Sequence, residues 1–160
     1  MLANLLLAAL FDVLTFLVHA AGLIMLTQLI AYLLAHPLLD GSQAEKVVAL
    51  VVLALGMFVL VCVELALWAT GMVAVGAFAE FDTAFYFSAS AFATIGFTDV
   101  APLAEWRLLE AMEGITGFLI MGWSAAYLVT SGIRFGPFER DKHFLNRRLE
   151  ACFCHAYAAT

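Results

Sequence analysis

The sequence predicts an all-α membrane protein: three transmembrane helices plus one shorter helix that enters and leaves the membrane on the same side. Three observations predict it. Hydrophobic residues make up 65% of the 160-residue chain and charged residues 12%, against roughly 45–50% and about 25% in soluble domains. A soluble protein of this length has too small a core to hide so much apolar surface. The apolar residues come in three long runs, and about 20 residues suffice to cross a hydrocarbon layer some 30 Å thick. A fourth run, residues 81–93, is apolar and aromatic but too short to span.

Residues 1–36 form the first helix, apolar from Leu2 to Ala35. His36-Pro37 and Asp40-Gly41-Ser42 stop it and turn the chain. It lacks a basic start and far exceeds the usual 7–15 apolar residues of a signal peptide, so a retained helix is expected. Its length exceeds what a bilayer needs, so it must tilt, kink or protrude. Asp12, Thr15 and His19 are spaced i, i+3, i+7 and share one face; Gln28 is a further polar group.

The second helix is expected over residues 47–76, with Glu64 its only charge and with Gly71 and Gly76 loosening its far end. An intramembrane acid is a functional candidate by default. Glu64 lies 18 residues from Lys46 and His19 lies 16 residues from Ala35, each counted from the same membrane face. Equal depth on antiparallel neighbours predicts that they pair. A structural hydrogen bond is the expected role. Proton sensing is the alternative, since histidine titrates near neutrality.

The short helix is expected over residues 82–93, with Asp82 or Thr83 as its N-cap. An extended loop, Thr94-Ile95-Gly96-Phe97-Thr98-Asp99, follows, and then Val100-Ala101-Pro102. Non-helical backbone at membrane depth survives only when buried in protein or lining water. The re-entrant segment therefore predicts a pore or cavity. The last long helix is expected over residues 104–132, with Gly114, Gly117 and Gly122 along it and Gly132, Gly136 and Pro137 breaking it. Residues 133–160 form a tail that reads as a short interfacial or cytoplasmic helix.

Net charge is −6, and five of the seven basic residues are Arg134, Arg140, Lys142, Arg147 and Arg148. They put the tail in the cytoplasm of a multi-pass plasma-membrane protein, with the N-terminus and the re-entrant loop outside. No basic stripe suggests nucleic acid. Cys62 sits in an apolar run as a small hydrophobe. Cys152, Cys154 and His155 supply three metal-ligand types but no fourth, so a reduced tail is expected.

At TIGFTD, residues 94–99, the chain resembles the selectivity filter of potassium channels, T-V-G-Y-G-D. The order of elements over residues 47–132 is similar too: outer helix, pore helix, filter, inner helix. The resemblance implies a tetramer with four-fold symmetry, because one pore loop cannot surround an ion and cyclic assembly supplies four. It implies that Thr94, Ile95, Gly96 and Phe97 present backbone carbonyls that replace the hydration shell of K+. Gly96 permits the left-handed backbone that aims a carbonyl at the axis. Tyr86 and Phe87 fall where the family keeps an aromatic pair behind the filter. Asp99 falls in the outer mouth, and Glu80, Asp82 and Glu105 join it in an acidic ring that concentrates cations.

Two positions depart from the family pattern. Thr98 replaces the second filter glycine, and a β-branched residue at positive φ is an outlier. The outermost ion site is therefore expected to be lost or reshaped. Ser90 falls where many relatives carry a buried Glu paired with the filter Asp, so that pair cannot form. Single-glycine filters also occur in potassium transporters of the Trk type, which hold four pore repeats in one chain. Gly117 and Gly122 are candidate hinges of the inner helix, or else sites of close helix packing. Glu113 is expected near the back of the filter.

The leading expectation is passive K+ conduction by a homotetramer in a lipid bilayer, with no cofactor beyond K+ ions and no soluble substrate. A weakly selective Na+/K+ channel and a pore-repeat subunit of a transporter-like assembly are the alternatives. An enzyme is not expected, since no H-E-x-x-H, Ser/His or paired-Asp motif appears. No arginine ladder marks a voltage sensor.

Overall fold

A computed structural model describes residues 2–35, 43–96 and 102–134. The elements are α1 (Leu2–Leu34), α2 (Gln43–Ala74), α3 (Phe81–Phe92), a 3-10 turn (Ala104–Trp106) and α4 (Arg107–Arg134). The helices α1, α2 and α4 are each long and apolar enough to cross a membrane. At 1.5 Å per residue, the 33 residues of α1 and 32 of α2 reach about 50 Å, well beyond a hydrocarbon layer of about 30 Å. Leu17, Ile24, Met25, Leu55, Phe58 and Val59 all point outward. Such surface is stable against lipid tails and unstable in water.

Helices α1 and α2 run antiparallel and interlock through glycines. Leu60 of α2 fills the gap at Gly22 of α1, and Leu26 of α1 fills the gap at Gly56 of α2. At the other end the Phe11 ring covers Gly71 and tilts against Trp68 at 5.3 Å between centroids. Lipid tails are as apolar as leucine, so close packing of this kind is a main source of helix association in membranes.

Helix α1 also runs parallel to α4 and touches it at four depths. The Asn4 amide donates to the Glu105 carbonyl, and the Thr116 hydroxyl donates to Asp12 Oδ1. The His19 ring lies 5.1 Å from Trp123, and the Thr27 and Tyr127 hydroxyls are 2.6 Å apart. The start of α1, the end of α2 and the start of α4 thus share one end of the bundle.

Two apolar cores follow. One joins Leu23, Leu26 and Ile30 to Leu53, Met57 and Leu60 at the far end of α1 and α2. The other gathers Trp68, Met72, Phe78, Phe87, Phe92 and Leu109 around α3. With 12 residues, α3 is about 18 Å long, and it fills only one half of the bundle.

Several boundaries differ from expectation. Glu80, not Asp82 or Thr83, is the N-cap residue of α3, and no side chain caps it. Asp82 lies inside the first turn instead, where its charge suits the helix dipole. Helix α2 begins at Gln43, ahead of Val47. Helix α4 runs through Gly132 to Arg134, because a glycine weakens a helix by only ~1 kcal/mol. Most of the tail, including Cys152, Cys154 and His155, lies outside the described residues, as does the turn at His36–Gly41.

Candidate functional site

The site is built where α3 stops. Phe92, the last residue of α3, packs on Gly117, and a Cβ there would come 2.5 Å from Phe92 Cα. Gly117 lies 10 residues past Arg107, about 15 Å along α4. Gly114, one turn earlier, faces the Ala91 carbonyl, 3.6 Å from where its Cβ would be. Helix α3 therefore ends near the middle of α4.

Its end is closed by two hydrogen bonds. The Thr94 N–H donates to Ala91 O at 3.0 Å, and the Ile95 N–H donates to Ser90 O at 3.1 Å. This is a Schellman closure with Thr94 in the left-handed position at φ 55. The same closure ends α2, where Ala77 N–H donates to Met72 O and Gly76 N–H to Val73 O. There the left-handed residue is Gly76 at φ 77.

Thr94 corrects the expectation of an extended chain from that residue onward. The reason is energetic. Left-handed backbone costs threonine roughly 1–2 kcal/mol, whereas an unpaired carbonyl in an apolar interior costs about 2–7 kcal/mol. The closure pairs two carbonyls and wins. Gly96 is left-handed as expected, at φ 67.

Thr94, Ile95 and Gly96 are exposed on the single chain. Thr94 and Gly96 share an open cavity of about 390 Å³ with Ala91, Arg107, Glu110, Ala111 and Gly114. Thr94 and Gly96 therefore lie beside the first turns of α4. Phe97, Thr98 and Asp99 lie outside the described residues.

The aromatic pair expected behind this segment divides. Phe87 is buried and tilts against Phe78 at 5.0 Å between centroids. Tyr86 is 61% exposed, on a groove with Phe81, Asp82, Phe85 and Ala89. The two side chains point about 100° apart on the helix, and it is Phe87 that faces the chain's own core. Ser90 is buried without a hydrogen-bond partner among the described residues. Glu80, Asp82 and Glu105 are exposed. A Cβ on Gly122 would meet nothing within 4 Å among the described residues.

A buried polar layer lies between α1, α2 and α4. His19 Nδ1 and Glu64 Oε1 are 2.8 Å apart, as depth counting predicts, and both side chains are fully buried. The Trp68 indole donates to Thr15 Oγ1 at 2.9 Å, and Thr15 donates to Phe11 O. Sequence reasoning missed the partners Trp68, Thr116 and Tyr127. Their only signal is polar atoms on apolar helices, which does not say who meets whom. No group of three or more metal-ligating side chains forms among the described residues.

No curated protein and no solved structure matches the chain. Residues 47–133, more than half of the chain, match the family model described as an ion channel. That stretch holds α2, α3 and nearly all of α4, and leaves α1 outside. The chain belongs to the ion channel family, consistent with a potassium-channel pore-loop family of the two-span type.

Proposed function

We propose that the chain is one subunit of a homotetrameric channel conducting K+ through a filter of backbone carbonyls at residues 94–99. The observation that carries this reading is the place where α3 ends. A 12-residue helix packed on Gly117 delivers Thr94 and Gly96 beside the first turns of α4. In this reading α3 is a re-entrant pore helix. Four copies set four such segments around one axis, and their carbonyls replace the water of a dehydrated cation. Phe87 braces the filter from within the chain, and Tyr86 packs on the neighbouring copy. The exposed acids Glu80, Asp82 and Glu105 repeat around the outer mouth, raise cation concentration and repel anions. The channel sits in the plasma membrane with α1 starting outside and the tail inside, uses K+ alone, and catalyses no reaction.

A second reading, a weakly selective Na+/K+ channel, is favoured by Thr98 in place of a glycine. The test for both is the reversal potential of the purified chain in liposomes under opposed K+ and Na+ gradients. A strong K+ preference supports the first reading, a ratio near unity the second. No cation flux at all would defeat both and favour a subunit that works only beside other chains.

A further inference from the structure

Helix α4 is held differently along its two halves. Leu109, Glu113, Thr116, Gly117 and Ile120 are buried, and no residue from Met121 to Thr130 is. The first half packs on α3 where Phe92 meets Gly117, and the bond from Thr116 to Asp12 ties it to α1. The second half rests against α1 and α2 through Tyr127 and Leu128, both only half-buried. The Tyr127 and Thr27 hydroxyls, 2.6 Å apart, tie it to α1. Thr27 gives its own proton to the Leu23 carbonyl at 2.8 Å, so Tyr127 is the donor between them. Apolar packing does not need these two hydroxyls, since phenylalanine and valine would fill the same space.

Between the two ties lies Gly122, where a Cβ would meet nothing within 4 Å among the described residues. Glycine is among the places where a helix bends most readily. Room to bend is present as well. Met121, Ser124, Ala125 and Leu128 of α4 line an open groove of about 430 Å³ with Met57 and Val61 of α2. A close-packed interface hardly yields, whereas an open groove does. Counted along the helix, the groove face lies roughly 130° around α4 from Trp123 and Tyr127. A shift of the second half into the groove therefore draws Tyr127 away from Thr27. We infer that the Tyr127–Thr27 bond is a latch. It holds the second half of α4 against α1, and its release lets that half bend at Gly122 toward the groove. Helix α1, which lies outside the family match, thereby sets how often the channel conducts. One neutral hydrogen bond shifts such an equilibrium by roughly fivefold, which biases two positions without freezing either. The inference rests on the channel reading for its meaning, but the latch itself can be judged without conduction.

The test is amide hydrogen exchange along α4 in the full chain held in lipid nanodiscs, with single-channel recording from the same preparations. Tyr127→Phe removes one hydroxyl and keeps the ring. It is expected to speed exchange over residues 123–134 by roughly fivefold, the worth of one neutral hydrogen bond, and to leave residues 107–116 near wild type. Thr27→Val breaks the same bond from α1 and is expected to do as much, and the double variant no more than either alone. Thr130→Val removes a hydroxyl that bonds back to Ala126 of its own helix and is expected to leave exchange unchanged. Equal effects of Thr130→Val and Tyr127→Phe would mean that any lost hydroxyl loosens α4 and would overturn the latch. Unchanged exchange in either Tyr127→Phe or Thr27→Val would overturn it too. In the recordings, Tyr127→Phe is expected to change the fraction of time open by about twofold or more, with unit current and K+/Na+ ratio at wild type. The sign of that change tells which position of α4 conducts. An unchanged open fraction, or a fall in the ratio, would overturn the proposal. A wild type that passes no cation defeats the channel reading alone, because the exchange result still decides whether α1 holds α4.

Discussion

His19 Nδ1 and Glu64 Oε1 lie 2.8 Å apart with both side chains fully buried, and Trp123 of α4 covers the imidazole. One contact therefore ties α1, which lies outside the family match, to both long helices of the channel module. Removing one partner of a buried pair strands the other, at about 3–5 kcal/mol. Glu64→Leu and His19→Leu are each expected to lose that much stability. The double variant is expected to lose less than the sum, with a coupling of ~1–3 kcal/mol. Denaturant unfolding in mild detergent measures it, and strict additivity would show that the two groups do not depend on each other.

Gly117 and Gly122 should behave in opposite ways. A Cβ on Gly117 meets the Phe92 backbone, while one on Gly122 meets nothing within 4 Å among the described residues. Gly117→Ala is expected to cost ~1–3 kcal/mol through overpacking and to lower conduction by displacing the end of α3. Phe92→Ala should not rescue it, because the clash is with backbone. Gly122→Ala is expected to leave the isolated subunit unharmed or gain up to ~1 kcal/mol of helix stability. If Gly122→Ala instead blocks assembly, the face of α4 around it meets a neighbouring copy.

Thr94→Gly separates stability from selectivity. It relieves the left-handed threonine at φ 55, worth ~1 kcal/mol, and removes the hydroxyl from the inner end of the proposed filter. Stability is expected to rise and the K+/Na+ ratio to fall. A fall in stability would show that the side chain does more for the turn than its backbone strain costs. Strain of this size is characteristic of functional segments.

Native mass spectrometry in mild detergent is expected to show tetramers; monomers and dimers alone would count against four-fold assembly. In the assembled protein K+ is expected on the axis beside Thr94 to Phe97. Thr98, if held in the shape usual for the second filter glycine, would be strained by roughly 1–3 kcal/mol in each copy, so an altered outer end with fewer strong sites is expected. Thr98→Gly should restore the outer site and raise the K+/Na+ ratio. A full set of sites in the wild type, with an unchanged ratio in Thr98→Gly, would refute this account.

The long helices were legible because length and hydropathy decide membrane spans almost alone. The His19–Glu64 pair was legible for a related reason: depth is one coordinate, and residue counting measures it. What counting cannot give is rotation about the helix axis. The seats of Leu60 on Gly22 and Leu26 on Gly56, the inward Phe87 and the outward Tyr86 all depend on that angle. The N-cap of α3 failed for another reason. Asp82 and Thr83 have good capping side chains, but the hydrogen bond from Ala84 N–H to Glu80 O begins the helix earlier. The closure at Thr94 was hidden because its reward lies in satisfying the carbonyls of Ser90 and Ala91, and its penalty falls on a residue that propensity forbids there.

The bond from the Asn4 amide to the Glu105 carbonyl has a practical meaning for anyone who wants to control this channel. It fastens the first turn of α1 beside the turn that leads from the loop into α4. Anything joined ahead of Leu2 is thereby delivered beside the 3-10 turn that opens α4. If the proposed pore opens at that end, a blocking peptide fused there on a short flexible linker would act at millimolar effective concentration, so even a weak blocker would hold it shut until a protease cut the tether.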